Sequence, residues 1–321
     1  MSRPRRTRLD AELVRRELAR SREHASQLIA AGRVTVGGAT ATKAATQVER
    51  SAAVVVSQDD SDPDYVSRGG HKLAGALYAF SDEYRARVAA AGQAPADGAA
   101  TPGPDAAPGP ASAPDSAAAD PAGSPVGAEA GRRGLRVAGR RALDAGASTG
   151  GFTDVLLRAG AAQVVAVDVG YGQLAWSLQS DDRVVVKDRT NVRELTLEQL
   201  DDQPVDLVVG DLSFIPLGLV LPALVRCSAP DADLVLMVKP QFEVGKERLG
   251  SGGVVRSREL RAESVRAVGA RAADLGLGAL GVTASPLPGP AGNVEYFLWL
   301  RAGAPALDPA DVDRAVAEGP R

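Results

Sequence analysis

Cysteine is nearly absent: Cys227 is the only one in 321 residues. One thiol cannot close an intrachain disulfide, and its isolation points to a reducing compartment. Cys227 follows an apolar run with no candidate base near it in sequence, so a buried structural thiol is expected rather than a nucleophile. Histidine is almost as scarce, with only His24 and His71. Two histidines and one cysteine cannot build a zinc site, no HExxH occurs, and no metal is expected. Long apolar runs are also missing. The longest, Phe214 to Val225, is short and interrupted by Pro216 and Pro222, so no membrane span is expected. The N-terminal arginines have no apolar segment behind them, which excludes a signal peptide of the usual form. A soluble, cytoplasmic protein is the expectation. Aromatics make up only 4% of the chain, but hydrophobic residues reach 45%, enough for a sizeable core.

The net charge of −3 argues by itself against a polyanionic partner, but the charge is unevenly placed. Residues 1–50 hold eleven Arg/Lys against five Asp/Glu. The same segment reads as a small folded unit. Leu9, Leu13, Val14 and Leu18 recur at helical spacing. Ser21 suits an N-cap for a second helix carrying Ala25, Leu28 and Ile29, and Gly32 suits its left-handed end. Val34 and Val36 alternate as a strand, Gly37-Gly38 predicts a hairpin turn, and Val48 with Val54 to Val56 predict returning strands.

A polar stretch with Pro63 follows, and then a helix predicted over Leu73 to Phe80. Residues 88–131 are mostly Ala, Pro, Gly, Ser and Asp, without Leu, Ile, aromatic or basic residues, a composition that predicts disorder. From Arg141 strands and helices alternate. The predicted strands are Ala142–Asp144, Val164–Val167, Val184–Val186, Asp206–Val209, Leu234–Val238, Gly281–Val282 and Tyr296–Leu300. Helices are predicted to begin near Gly150, Gln173, Thr196, Pro216 and Ser257. The sum is an α/β fold, a doubly wound sheet of about seven strands behind a small N-terminal α+β unit.

In such sheets ligands bind at the carboxyl ends of the strands. Asp144 ends the first strand, and Gly146, Ser148, Gly150 and Gly151 make a turn of small residues before Phe152. Asp168 ends the second strand, placed to accept two ribose hydroxyls, and Asp188 ends the third, placed to reach adenosine. A nicotinamide cofactor would need glycine at the position of Ser148, where the backbone approaches a pyrophosphate. S-adenosylmethionine has no pyrophosphate, and its amino group prefers an acid such as Asp144.

Four further segments carry chemistry: Ser67-Arg68-Gly69-Gly70-His71-Lys72, Gly210-Asp211-Leu212-Ser213-Phe214, Val238-Lys239-Pro240-Gln241-Phe242-Glu243 and Gly292-Asn293-Val294-Glu295-Tyr296. A Lys-Asp-Lys-Glu set around a glycine-rich turn resembles the tetrad of ribose 2′-O-methyltransferases. Order and context are similar to the TlyA-type ribosomal RNA cytidine 2′-O-methyltransferases, an S4 domain plus an FtsJ-like methyltransferase domain, also labelled hemolysins. Arg8-Leu9-Asp10, Leu18, Ser21-Arg22, Ala25, Leu28-Ile29, Gly32, Val34, Val36 and Lys43 carry the resemblance to the S4 RNA-binding domain.

The resemblance implies S-adenosylmethionine as cofactor and 16S or 23S ribosomal RNA, or both, as substrate. The arginine-rich start and a C-terminal helix over Pro309 to Gly319 are similar to members that modify both subunits. It implies catalytic roles for Lys72, Asp211, Lys239 and Glu295. Lys239 would be a base if a neighbouring lysine and desolvation kept it neutral, or a charged group that orients the hydroxyl. Asp211 would orient Lys239, and Glu295 would fix Lys72. Arg6, Arg20, Arg22, Arg33 and Arg68 are the candidate RNA contacts, with Lys246, Arg248, Arg256 and Arg258 beyond them. The expected divisions are residues 1–60 (S4), 61–87 (linker and start of the methyltransferase), 88–131 (insertion), 132–302 (methyltransferase) and 303–321 (C-terminal tail). A pore-forming hemolysin and a non-catalytic ribosome assembly factor are the alternatives. The lack of a membrane-spanning segment disfavours the first, and the intact tetrad disfavours the second.

Overall fold

A computed structural model describes residues 6–16, 18–19, 22–57, 63–84, 86 and 134–320. The expected N-cap Ser21, the candidate contact Arg20 and the insertion 88–131 lie outside the described residues. Two compact units divide at Asp64 and Tyr65.

In the N-terminal unit, strand β1 (Arg6–Arg8) leads into helices α1 (Leu9–Arg15) and α2 (Arg22–Ala30), followed by β2 (Val34–Val36), β3 (Ala39–Thr40), β4 (Gln47–Glu49) and β5 (Val54–Val56). Leu9, Leu13, Ala25, Leu28, Ile29 and Val34 are buried together. Gly37 and Gly38 both take positive φ, 58° and 85°, the conformation a two-residue turn between β2 and β3 requires. β5 returns beside β2, as the valines predict. β4 does not join that sheet. It pairs with β1, Thr7 opposite Val48, a strand of polar residues whose sequence carries no strand pattern.

The second unit opens with α3 (Arg68–Ala79). This helix starts five residues before the predicted Leu73, so Lys72 is inside it, one turn from its N-terminus. Then come β6 (Arg141–Ala145), α4 (Gly151–Arg158), β7 (Gln163–Val167), α5 (Trp176–Gln179), β8 (Val184–Lys187), β9 (Val205–Gly210), α6 (Leu221–Arg226), β10 (Ser228–Val238), α7 (Pro240–Glu243), α8 (Arg258–Ala273), β11 (Leu277–Ala284), β12 (Tyr296–Ala302) and α9 (Pro309–Glu318). The seven strands lie in the order β11-β12-β10-β9-β6-β7-β8, with β12 antiparallel to both neighbours and β10 through β8 parallel. The chain reverses its direction of winding between β6 and β9, which places the crevice at their carboxyl ends.

Alternate residues of each strand bury on opposite faces, as a period of two demands. Leu143, Val165, Val208, Leu236 and Leu298 face one layer, while Ala142, Val164, Val209, Val235 and Phe297 face the other. The helix expected near Thr196 is instead two 3-10 turns, Val192–Glu194 and Glu198–Leu200, and that near Gln173 shrinks to the four residues of α5. Both segments are rich in polar residues and too short to bury a helical stripe. No helix among the described residues is long and apolar enough to cross a membrane.

One buried charge was not legible in sequence. Asp233, wholly buried in β10, accepts from Trp299 Nε1 at 2.6 Å, from Arg301 Nε and Nη2 at 2.8 Å, and from Arg140 Nη1 at 2.5 Å. It ties β10 and β12 to the residue before β6. Asp233→Ala strands two guanidinium groups and should destabilise the fold by about 3 kcal/mol or more, read as a lowered urea midpoint. An unchanged midpoint would show that the cluster contributes nothing.

Candidate active site

The turn after β6 is shaped by left-handed backbone. Gly146 (φ +87°), Ser148 (+48°) and Gly150 (+98°) all have positive φ. Gly151 serves packing more than ligand access. A Cβ there would collide with the Ser67 hydroxyl and come within 2.8 Å of the Gly70 nitrogen, so the absence of a side chain lets α3 lie directly against the start of α4. Gly150 is likewise covered, by Leu174 and Leu178. Phe152 was expected to face the cofactor; its ring is buried and tilted against Phe297, 6.0 Å between centroids, so the side chain packs in the core. The aromatic points inward because the first turn of α4 faces the sheet.

Asp144 is wholly buried. Its Oδ2 accepts from Thr153 Oγ1 at 2.7 Å, and its Oδ1 has no hydrogen-bond partner. Burial pushes this carboxyl up to about 7, opposed by the Thr153 hydroxyl and reinforced by Asp211 and Asp168 nearby. An orphaned acceptor of this kind suits a cationic ligand group. Asp168 accepts from the Ser148 amide through Oδ2 and from the Gly170 amide through Oδ1, both at 2.7 Å. Asp188 accepts from the Gly172 amide at 2.9 Å. Both acids therefore brace loops at the sheet edge, and each carboxylate oxygen keeps a further lone pair.

The tetrad residues, spread over 224 positions of sequence, meet as two pairs. Lys72 Nζ donates to Glu295 Oε2 at 2.5 Å, with both residues buried. Lys239, 8% exposed, lies 2.5 Å from Asp211 Oδ1. The pairs are joined through α7, because Gln241 Nε2 donates to Glu295 Oε1 at 3.4 Å. They also abut the turn: the Asp211 carbonyl sits where a Cβ on Gly146 would meet it at 3.1 Å. The proline-rich loop closes over the first pair. Pro286 packs on Gly75 of α3, and Gly289 leaves room for Glu295 Oε1.

Such an arrangement can hold a hydroxyl beside a cationic methyl donor. One buried and one partly buried carboxylate hold the lysines, and the glycine-rich turn lies beside them. The S4 domain matches residues 7–54, and the FtsJ-like methyltransferase family matches residues 129–302. The 16S/23S rRNA (cytidine-2′-O)-methyltransferase TlyA of Mycobacterium tuberculosis is 52% identical, over 98% of this chain and 99% of that protein. The chain belongs to the TlyA family. Another relative, the putative rRNA methyltransferase YqxC of Bacillus subtilis, is 34% identical over 91% of this chain and 85% of its own. Among solved structures, a putative hemolysin from Streptococcus thermophilus superposes with a TM-score of 0.64 at 30% identity, covering 99% of this chain and 96% of that one. A methyl donor of the S-adenosylmethionine type follows from membership of an FtsJ-like methyltransferase family.

Several residues that touch the candidate site carried no signal in the sequence. Thr153 is one, since a threonine in the first turn of a helix carries no signal of what it will meet. Ser213 is another: its Oγ accepts from Lys239 Nζ at 2.8 Å. Phe214 is 89% exposed, has φ +65°, and leans on Phe242 with centroids 5.2 Å apart. A strained, exposed aromatic beside the tetrad is a ready stacking surface for a nucleobase. Of the basic residues, Arg68 is exposed at the start of α3. In the N-terminal unit, Arg6 pairs with Glu49 at 3.3 Å, Arg22 with Asp10 at 3.0 Å, and Arg33 Nε donates to the Ser57 carbonyl at 3.0 Å.

Proposed function

We propose that this chain transfers the methyl group of S-adenosylmethionine to the 2′-oxygen of cytidine in 16S and 23S ribosomal RNA. The observation that carries the chemistry is the pair of lysines, each 2.5 Å from a carboxylate, next to the turn at the carboxyl edge of the sheet. The turn suits the cofactor, because Asp144 presents an unpartnered acceptor and the turn is open at Ser148 and Thr149, which are exposed. Asp144, Gly146, Ser148, Gly150, Asp168 and Asp188 would hold it. When bound, it supplies a methyl group made electrophilic by a sulfonium.

The chain's own residues do the rest. Lys239, held by Asp211 and Ser213, meets the 2′-hydroxyl and either takes its proton or orients its lone pair. Lys72, held in place by its ion pair with Glu295, sets a cation beside the pocket that stabilises negative charge developing on the oxygen. Phe214 takes the face of a nucleobase. Arg6, Arg20, Arg22, Arg33 and Arg68 contact phosphates. We take residues 1–60 as the S4 domain, 61–87 as linker and start of the methyltransferase domain, 88–131 as an insertion, 132–302 as the methyltransferase domain and 303–321 as its C-terminal extension.

The test is to incubate the purified chain with ribosomal subunits lacking the modification and a labelled methyl donor, then map 2′-O-methyl groups. Label on cytidine ribose in both subunit RNAs is expected. Label confined to bases, or to protein, would overturn the reading. Removing residues 1–60 should leave cofactor affinity unchanged and remove activity on subunits, because the phosphate contacts go with them. Replacing Arg6, Arg20 and Arg22 together by Ala should flatten the salt dependence of subunit binding by about one unit of slope, or slightly less, per lost contact. An unchanged slope would place the docking surface elsewhere.

A further inference from the structure

Lys239 has two neighbours of different kinds. Asp211 Oδ1 is 2.5 Å from Nζ but outside the angular range of a hydrogen bond, so the contact supplies charge more than direction. Ser213 Oγ, at 2.8 Å, accepts an aligned hydrogen bond from the same nitrogen. An amine nitrogen at the end of a side chain is a three-fold rotor. Attraction to a carboxylate holds its position but does not choose its rotation. One aligned hydrogen bond fixes one of the three substituent directions, and the other two are then set by tetrahedral geometry.

We infer that Ser213 is a positioning residue for the reaction: it sets the rotation of the Lys239 amine so that a second direction is presented to the 2′-oxygen. The role is the same in either protonation state. That direction carries an N–H if Lys239 is an ammonium, and it can carry the lone pair if Lys239 is a neutral amine. The inference rests on the reading of Lys239 as the group at the reacting hydroxyl.

The loop is built to hold this hydroxyl. Phe214 turns the backbone back through left-handed φ and its ring rests on Phe242 of α7. Two residues after Phe242's predecessor Gln241, Glu243 Oε1 accepts from the Leu217 amide at 2.8 Å. Both the middle and the end of the loop are thus fastened to the short helix that follows Lys239, so lysine and serine are parts of one clamp. Ser213 itself is exposed, and replacing it removes no core packing.

The experiment compares Ser213→Ala and Ser213→Thr in the full chain, with ribosomal subunits and S-adenosylmethionine, measuring kcat, KM for subunits, cofactor affinity and melting temperature. For Ser213→Ala, kcat should fall about tenfold, the equivalent of one lost hydrogen bond, while KM, affinity and melting temperature hold within about twofold or a degree. Ser213→Thr keeps the hydroxyl and should recover most of kcat. Parental kcat in the Ala variant would overturn the inference. So would equal losses in the Ala and Thr variants, or a loss shared with cofactor affinity. Should Lys239→Ala turn over normally, the underlying reading fails. Should Lys239→Ala be inactive and Ser213→Ala be as fast as the parent, only this inference fails.

Discussion

Lys239→Ala is expected to abolish methyl transfer while the cofactor still binds. Its Nζ contacts Asp211 and Ser213, both on the loop after β9, and the ring of Phe242 lies 6.0 Å away; none of these belongs to the turn after β6. The substitution therefore removes the group proposed to face the hydroxyl and leaves the glycine-rich turn, Asp144 and Asp168 in place. Loss of a positioned proton acceptor or donor is expected to lower kcat by about 100- to 10,000-fold. Removing Lys239 also leaves Asp211 without its counter-charge at a partly buried site, so Lys239→Met and Lys239→Gln serve as partners in the comparison. Single-turnover methylation measured beside calorimetric cofactor affinity decides the matter. Normal turnover on ribosomal subunits would sink the assignment, and equal loss of cofactor affinity would move Lys239 into the binding site.

Cofactor affinity is expected to depend on pH through Asp144. This carboxyl is wholly buried, lies near Asp211 and Asp168, and is pushed up to about 7 by burial. A cationic ligand group beside it favours the ionised form. Below that value, binding must expel a proton, so affinity should fall by up to about tenfold per pH unit; above it, affinity should be flat. Asp144→Asn should weaken binding at pH 8 by about 10- to 100-fold, the range for a lost charge-assisted hydrogen bond, and remove the slope.

The effect on stability has the opposite sign. A carboxyl raised above its unfolded value of about 3.9 stabilises the fold fully only below that pH, and the contribution is lost as pH rises to about 7. Without cofactor, the parent chain should thus lose stability across that window, and Asp144→Asn should melt at a higher temperature at pH 8. A variant with the parental pH slope in cofactor affinity would show that another group titrates.

The active-site constellation was legible in unequal parts. Lys72, Asp211, Lys239 and Glu295 stand out because each sits in a distinctive short context, and charged residues after buried strands need a reason to be there. Their pairing did not follow from the sequence pattern alone: Lys72 and Glu295 are 223 positions apart and meet because α3 lies on α4 while β12 inserts between β10 and β11. The packing around Gly150 and Gly151 was not legible for a related reason. A glycine-rich turn advertises room for a backbone, but not which neighbour fills it, and here part of the room is taken by Leu174, Leu178 and α3.

The sequence by itself determined the alternation of strands and helices, because a period of two for buried strands and the flanking turn residues are local properties. It determined the basic N-terminal unit through its charge balance, and the chemistry through residue types in short motifs. Only the tertiary structure decided the partners. β4 pairs with β1 because the fold brings two polar edges together, and Asp233 collects Arg140, Arg301 and Trp299 from three separate segments. Asp144 is left with one oxygen unpartnered, and Lys239 donates an aligned hydrogen bond to Ser213. Those are questions of angle and burial between residues far apart in the chain, and such geometry exists only once the layers have packed.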